Sequence, residues 1–230
     1  MANPLIRFTQ VDGETWTIEE KRVILQGAAT VARQLANTMN QSKSQIAQKY
    51  ATMGETYNYT SISAENAFLS FYGGAVTFHK TGQSCTEATG ATLCYAQTQN
   101  SRLIHVFTDI YNSNGESQIT DVDTADRWAV HELGHAFESR VNGSVGSWGY
   151  VRSQLPDNVL NRNGFAGAFN GWQQSRSDDR REIFADMFIG WAYGQWEISE
   201  LTGSLTGDAN RKAKFMATDM SIWVNIVVQP

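Results

Sequence analysis

The stretch WAVHELGHAFE at residues 128–138 places two histidines four positions apart, with a glutamate directly after the first. Apolar side chains recur around them at helical spacing, so we expect an α-helix with one face in the core. His131 and His135 then project from the same side of the helix, and their rings can converge on one metal ion. Glu132 is rotated by about 100° from His131, so it can reach a water on that ion without being a ligand itself.

The other interpretation of this stretch is an exposed helix face that carries two histidines by chance. Such a five-residue match arises by chance in on the order of one chain of this length in a few hundred. Here it holds two of the four histidines of the chain. The segment also has helix boundaries of its own, since Asp123 or Thr124 can cap the helix and Asn142-Gly143 is expected to end it. The sequence therefore favours a metal site.

A third ligand is expected downstream, because His79 and His105 lie upstream in strand-like segments and no histidine follows His135. Glu182 and Asp186 are one helical turn apart in REIFADMFIGW, amid apolar residues on nearly every side. Such a helix is buried, and unpaired carboxylates on it are costly. We expect Glu182 as the third ligand and Asp186 as the partner of a histidine ring N–H. The alternative is a helix-dipole position for Glu182 and an arginine partner for Asp186.

The remaining chain predicts an α+β fold in a single domain over residues 1–230. Thr17 and Glu20 have capping-box spacing before a long helix, and Ser63 can cap a helix that Gly73-Gly74 ends. Short segments rich in β-branched and aromatic residues predict a small mixed or antiparallel sheet. The expected order is helices over 18–39, 42–53 and 64–72, strands within 75–80, 93–98 and 102–111, the helix around His131, an irregular connection, and C-terminal helices around Glu182 and from 208.

The composition and charge of the chain limit the classes of molecule that it is expected to bind. The chain has 230 residues, 41% of them hydrophobic, and a net charge of −5 without a Lys/Arg block. We therefore expect no nucleic-acid partner and no membrane partner, and a monomer. No apolar run approaches about 18 residues, and the first residues do not form a signal peptide. Low lysine content favours a secreted protein whose signal is absent from this sequence, whereas the missing signal favours the cytoplasm.

The two cysteines of the chain lie close together in the sequence. Cys85 and Cys94 flank TEATGATL, which predicts two short strands around a Thr-Gly turn. Cross-strand pairing there would bring the sulfurs within disulfide range, and two free thiols are the alternative. The redox state of the compartment decides between them.

From the two helical motifs, the chain resembles the zincin metallopeptidases and, within them, the gluzincin branch. The resemblance rests on HELGH at 131–135 and EIFAD at 182–186 and covers about 70 residues, from 124 to 193. The gap between the motifs is longer than in thermolysin-like enzymes, and no downstream histidine exists to stabilise an oxyanion. Substrate specificity therefore does not follow from the resemblance.

The resemblance implies a zincin-like fold and a zinc-dependent metallopeptidase acting on a peptide or protein substrate. By it, His131, His135 and Glu182 bind Zn²⁺. Glu132 is then the general base, and Asp186 orients one histidine. The resemblance also implies a sheet edge that binds extended peptide ahead of the active-site helix, with RLIHVFTDIY at 102–111 as the candidate.

The implied reaction is amide hydrolysis by a metal-activated water, with Glu132 moving the proton from the water to the leaving nitrogen. A donor for the oxyanion is still needed. Tyr193 lies about 16 Å along a helix from Glu182, which is too far. Tyr150 in the connecting segment has no such obstacle and is our candidate, although it also suits an ordinary loop position. His105 is a weaker candidate.

Three alternatives stay open. Peptide deformylases carry the same two-histidine helix with an upstream cysteine ligand, for which Cys94 is near enough to consider, but TLCYAQ lacks the deformylase motif. Asp186 could itself be a ligand, as in the aspartate-using zincins. A non-catalytic binding or adhesion module could hold zinc as a structural clip, although structural zinc prefers four protein ligands and does not need Glu132.

Overall fold

The computed structural model describes residues 4–91, 94–115, 117–120, 125–161, 163–164 and 179–228. Within them the chain is α+β, as expected, with seven helices and a small four-stranded mixed sheet. The elements are β1 (Ile6–Gln10), α1 (Ile18–Thr52), α2 (Ala64–Tyr72), β2 (Val76–Lys80), α3 (Cys85–Thr89), β3 (Ala96–Asn100), β4 (Leu103–Val106), α4 (Ala125–Val145), α5 (Tyr150–Gln154), α6 (Arg180–Tyr193) and α7 (Gly207–Val228).

The first helix is longer than predicted. The capping box of Thr17 and Glu20 is present, but α1 then runs for 35 residues without the break expected near residue 40. Asn40 lies at that point and uses its side chain to bind both backbone groups of Ile62, at 2.8 and 3.1 Å. This polar residue therefore fixes the returning chain and does not end the helix. Ser63 caps α2 and Gly73 ends it in the left-handed region, as predicted.

The sheet has the strand order β1-β2-β4-β3. The pairs β1–β2 and β2–β4 are parallel, and only β3–β4 forms the expected antiparallel pair. Strand β1 was not predicted. Strand β4 lies inside the sheet between β2 and β3, so the expectation that 102–111 forms the sheet edge is wrong. The edge strand on that side is β3.

One face of the sheet packs on α4. Phe78, Ile104 and Val106 point to this inner face and are buried in a single apolar core cluster. Helix α4 also packs against α1, α6 and α7, which places it at the centre of the fold. A Cβ added to Gly27 of α1 would lie 2.8 Å from the carbonyl oxygen of Asp126, so this glycine permits the close crossing of α1 and α4.

Helix α4 passes the predicted stop at Asn142-Gly143 and continues to Val145. Asn142 is buried, and its side-chain oxygen accepts a hydrogen bond from Val151 N at 3.1 Å, so it fixes α5 against α4. The predicted caps Asp123 and Thr124 lie outside the described residues. Neither α7, with its apolar last turns, nor any other helix in the described part of the chain has the length and apolarity to cross a membrane.

The two cysteines form a disulfide, with their Cα atoms 5.5 Å apart. The local structure differs from the prediction, because Cys85 begins the short helix α3 and not a strand. Ser84 and Glu87 form a capping box at its start, and Gly90 ends it with a φ of 75°. The Thr-Gly pair therefore marks a helix end and not a hairpin turn.

Candidate metal centre

Helices α4 and α6 cross closely at the glycine of the HELGH motif. A Cβ added to Gly134 would lie 3.1 Å from the Cβ of Phe188, so a larger residue would push the two helices apart. Tyr72 from α2 holds the same turn of α4, since its hydroxyl donates to the carbonyl of Leu133 at 3.0 Å. The histidines of α4 thus face the acids of α6 at short range.

Donor atoms of three residues converge between these helices. The Nε2 atom of His131 lies 3.1 Å from Oε2 of Glu182 and 3.1 Å from Nε2 of His135. The other carboxylate oxygen of Glu182, Oε1, lies 3.5 Å from Nε2 of His135. We call the two Nε2 atoms and the Glu182 carboxylate the triangle. Ligands held about 2.0–2.1 Å from a tetrahedral ion are about 3.3–3.4 Å apart, which is close to the distances between these groups. These residues could hold a metal ion.

Asp186 lies behind His131, on the side away from the triangle. Its Oδ1 is 3.1 Å from Nδ1 of His131, and both side chains are buried. With the proton of the imidazole on Nδ1 and donated to Asp186, the Nε2 lone pair points into the triangle. The carboxylate therefore orients the ring as a ligand would need it.

His131 and Glu182 shift each other's pKa values. Burial alone lowers the pKa of His131, but hydrogen bonds to Asp186 and Glu182 outweigh it and raise the pKa from 6.5 to about 10. Burial likewise opposes ionisation of Glu182, yet hydrogen bonds from His131 and His135 hold its pKa far below the usual range. Without a metal, a proton must sit between two Nε2 atoms that otherwise turn lone pairs toward each other. A divalent cation would replace that proton.

Glu132 lies beside the triangle and contributes no atom to it. Its side chain is only 6% exposed. The carboxylate accepts a hydrogen bond from the Thr98 hydroxyl on β3, with 3.2 Å between Oγ1 and Oε2. The sequence alone does not single out Thr98. The signal that could have found it is a hydroxyl residue at an inward-facing position of a short strand.

Tyr150, the predicted oxyanion donor, is not part of the triangle. Tyr150 begins α5, which packs on α4 and α6, and its ring packs partly buried against the core. Within the described part of the chain, its hydroxyl makes no hydrogen bond to the triangle or to Glu132. Tyr193 donates to Asp126 at 2.7 Å, so its hydroxyl is engaged elsewhere.

His105 is on the wrong face of the sheet for the oxyanion role. Ile104, its neighbour in β4, pairs with Thr98 and shares the inner face that packs on α4, so the side chain of His105 points to the opposite face. There its ring lies 5.5 Å from that of His79. Burial, together with the charge of His79, lowers the pKa of His105. The expectation for His105 is therefore wrong.

Two alternative ligands are also placed elsewhere. The sulfur of Cys94 is bonded to Cys85, so it cannot serve as a deformylase-like ligand while that bond is intact. Asp186 contacts the outer nitrogen of His131 and is not one of the three converging donors, a position that Glu182 takes. The two helices therefore bring together His131, His135 and Glu182.

No protein-family model matches the chain, and neither a curated protein nor a solved structure is significantly similar to it.

Proposed function

We propose that the chain is a zincin-like metallopeptidase of the gluzincin type, which hydrolyses peptide bonds with Zn²⁺ held by His131, His135 and Glu182. The observation that carries this proposal is the convergence of two Nε2 atoms, 3.1 Å apart, on the Glu182 carboxylate, whose Oε2 lies 3.1 Å from His131 and whose Oε1 lies 3.5 Å from His135. Asp186 behind His131 supports it, because metal-ligating imidazoles commonly donate their other N–H to a carboxylate.

When bound, zinc would lower the pKa of a water toward about 7 and polarise the scissile carbonyl. Glu132 is the proposed general base, since it is not one of the donors of the triangle and, unlike Asp186, does not bind the outer nitrogen of His131. It takes the proton of the attacking water and delivers it to the leaving nitrogen. Its burial keeps bulk water from competing for that proton.

The substrate is a peptide or protein segment in extended conformation. Strand β3 is the edge of the sheet nearest the site, and no other strand in the described part of the chain pairs with its outer side. An extended peptide can add to such an edge through main-chain hydrogen bonds. The carbonyl of Thr98 in this strand lies 3.4 Å from the guanidinium of Arg181, which links the edge to the start of α6.

The role of Tyr150 stays a prediction. A hydroxyl donor to the oxyanion acts only in the transition state, so Tyr150→Phe should lower kcat by roughly 100-fold or more with unchanged zinc content. Unchanged kcat in this variant would remove Tyr150 from the role.

The experiment that tests the function compares the zinc-loaded protein with Glu132→Gln on a broad peptide library and on denatured casein. We expect cleavage by the wild type and a loss of about 10²–10⁴-fold in Glu132→Gln, with about one zinc per chain in both. Glu65→Gln, at an exposed position of α2, is the matched control and should be fully active. If the folded wild type bound zinc and left the whole library intact, a non-catalytic zinc-binding module would replace the peptidase.

A further inference from the structure

We propose that Thr98 is a positioning residue that holds the Glu132 carboxylate and couples it to the edge strand β3. This inference rests on the proposed function, because it assigns a partner to the proposed general base. Thr98 itself touches neither the metal triangle nor the reacting atoms.

The contact between Thr98 and Glu132 is buried. The Oγ1 atom of Thr98 lies 3.2 Å from Oε2 of Glu132 and 3.3 Å from its carbonyl oxygen. Thr98 is 8% exposed and Glu132 is 6% exposed. Within the described residues, no other side chain hydrogen-bonds this carboxylate. The single hydroxyl proton of Thr98 has these two oxygens of Glu132 as its acceptors.

The register of β3 changes directly after Thr98. Thr98 pairs with Ile104, and Asn100 pairs with Leu103, so Gln99 is the extra residue of a β-bulge. Bulges bend the strand, re-aim side chains and are frequent beside active sites. Thr98 shares the inner face with the buried Ile104, where valine would fit as well and carry no polar group to satisfy. A hydroxyl at this position is therefore explained by its partner and not by packing.

The hydrogen bond limits the freedom of the base. A glutamate side chain has three rotatable bonds, and a donor on Oε2 fixes the carboxylate so that Oε1 is left to take the proton. Because the donor belongs to β3, the carboxylate and the edge that would bind the peptide move as one unit. The same strand would then position both the carboxylate of the base and the scissile bond.

The kinetic test compares Thr98→Val, which removes the donor at nearly constant volume, with Thr98→Ser, which retains it. We expect Thr98→Val to bind about one zinc and to lose roughly 10- to 100-fold in kcat, with KM changed less than about threefold. Thr98→Ser should stay within about fivefold of the wild-type kcat. Thr77→Val on β2, whose side chain is on the opposite face of the sheet, is the control and should leave both constants unchanged.

A second readout does not depend on activity. In chelator, Thr98→Val should lower the melting temperature more in the wild-type background than in Glu132→Ala, with a difference of roughly 2–4 °C. Equal shifts in the two backgrounds, or a wild-type kcat in Thr98→Val, would overturn the inference. If the wild type cut no peptide, the proposed function would fail. The thermal cycle alone would then decide whether Thr98 holds Glu132.

Discussion

Two groups of buried charged side chains in the described part of the chain differ in how well their donors and acceptors match. In the first, which we call the lysine cluster, the Lys80 ammonium at the end of β2 is 2% exposed and Glu20 of α1 is fully buried. The ammonium donates to Glu20 at 2.8 Å, to the carbonyl of Thr15 at 2.6 Å and to the hydroxyl of Tyr111, and it lies over the ring of Trp16. An ammonium has three donors, and all three are used.

The candidate metal centre between α4 and α6 shows the opposite balance. Three carboxylates, from Glu132, Glu182 and Asp186, surround two imidazoles, and the converging atoms are all acceptors unless a proton is placed among them. Burial of charge therefore does not by itself mark a binding site. Charge whose donors and acceptors match is structural, whereas a surplus of acceptors aimed at one point indicates a cation.

The largest effect is expected in the lysine cluster. Lys80→Met leaves Glu20 buried without its cation, so we expect a loss of about 3–5 kcal/mol in the free energy of unfolding, measured with urea. The loss should be the same with zinc or with chelator. Lys80→Met combined with Glu20→Gln should recover most of it, since Gln keeps the capping box and carries no charge. A loss below about 1 kcal/mol would show that the cluster is not the structural unit described here.

The next effect concerns zinc affinity at the metal centre. Asp186→Asn removes the charge that orients His131, so we expect the affinity for zinc to fall by about 10- to 100-fold in a competition titration with a chromophoric chelator. Asp126→Asn is the matched control, because Asp126 binds Tyr193 and not the histidines. Equal zinc affinities in the two variants would contradict the role of Asp186.

The smallest effect is a pH dependence that separates the zinc-free from the zinc-bound protein. The pKa of His131 is raised from 6.5 to about 10, so the free energy of unfolding of the zinc-free protein should fall as the pH rises through this interval. We expect a fall on the order of 1 kcal/mol for the first pH unit. The lowered pKa of Glu182 has the opposite sign, and its contribution is lost at acidic pH.

Zinc should remove most of this slope, because its binding displaces the proton of His131 and the stabilisation by zinc therefore grows as the pH rises. Thermal melts at several pH values, with and without zinc, measure both trends. His131→Gln should flatten the zinc-free slope. A zinc-free stability that increased from pH 6.5 to 9 would show that His131 does not hold its proton through Asp186 and Glu182.

The features predicted from the sequence are those set by neighbours within a turn or two. The helix around HELGH, the apolar helix with Glu182 and Asp186, and the capping box of Thr17 and Glu20 all follow from local periodicity and capping chemistry. The two acids of α6 could be recognised as site residues, because carboxylates on an otherwise apolar helix require a partner.

The missed features depend on pairings between distant segments. Strand β1 pairs with β2 across some 70 residues, and β4 enters the sheet between β2 and β3, so the edge strand was misassigned. The contacts of Lys80 with Glu20 and of Thr98 with Glu132 likewise join residues far apart in the chain. Such contacts are decided by how helices and sheet pack, which no local spacing encodes.

The central claim is that His131, His135 and Glu182 hold one zinc ion, and elemental analysis of the purified, folded protein tests it most directly. After gel filtration and equilibration with zinc, we expect about one zinc per chain in the wild type and in Glu132→Gln, and almost none in His131→Ala. A folded wild-type protein that retained no zinc under these conditions would contradict the claim.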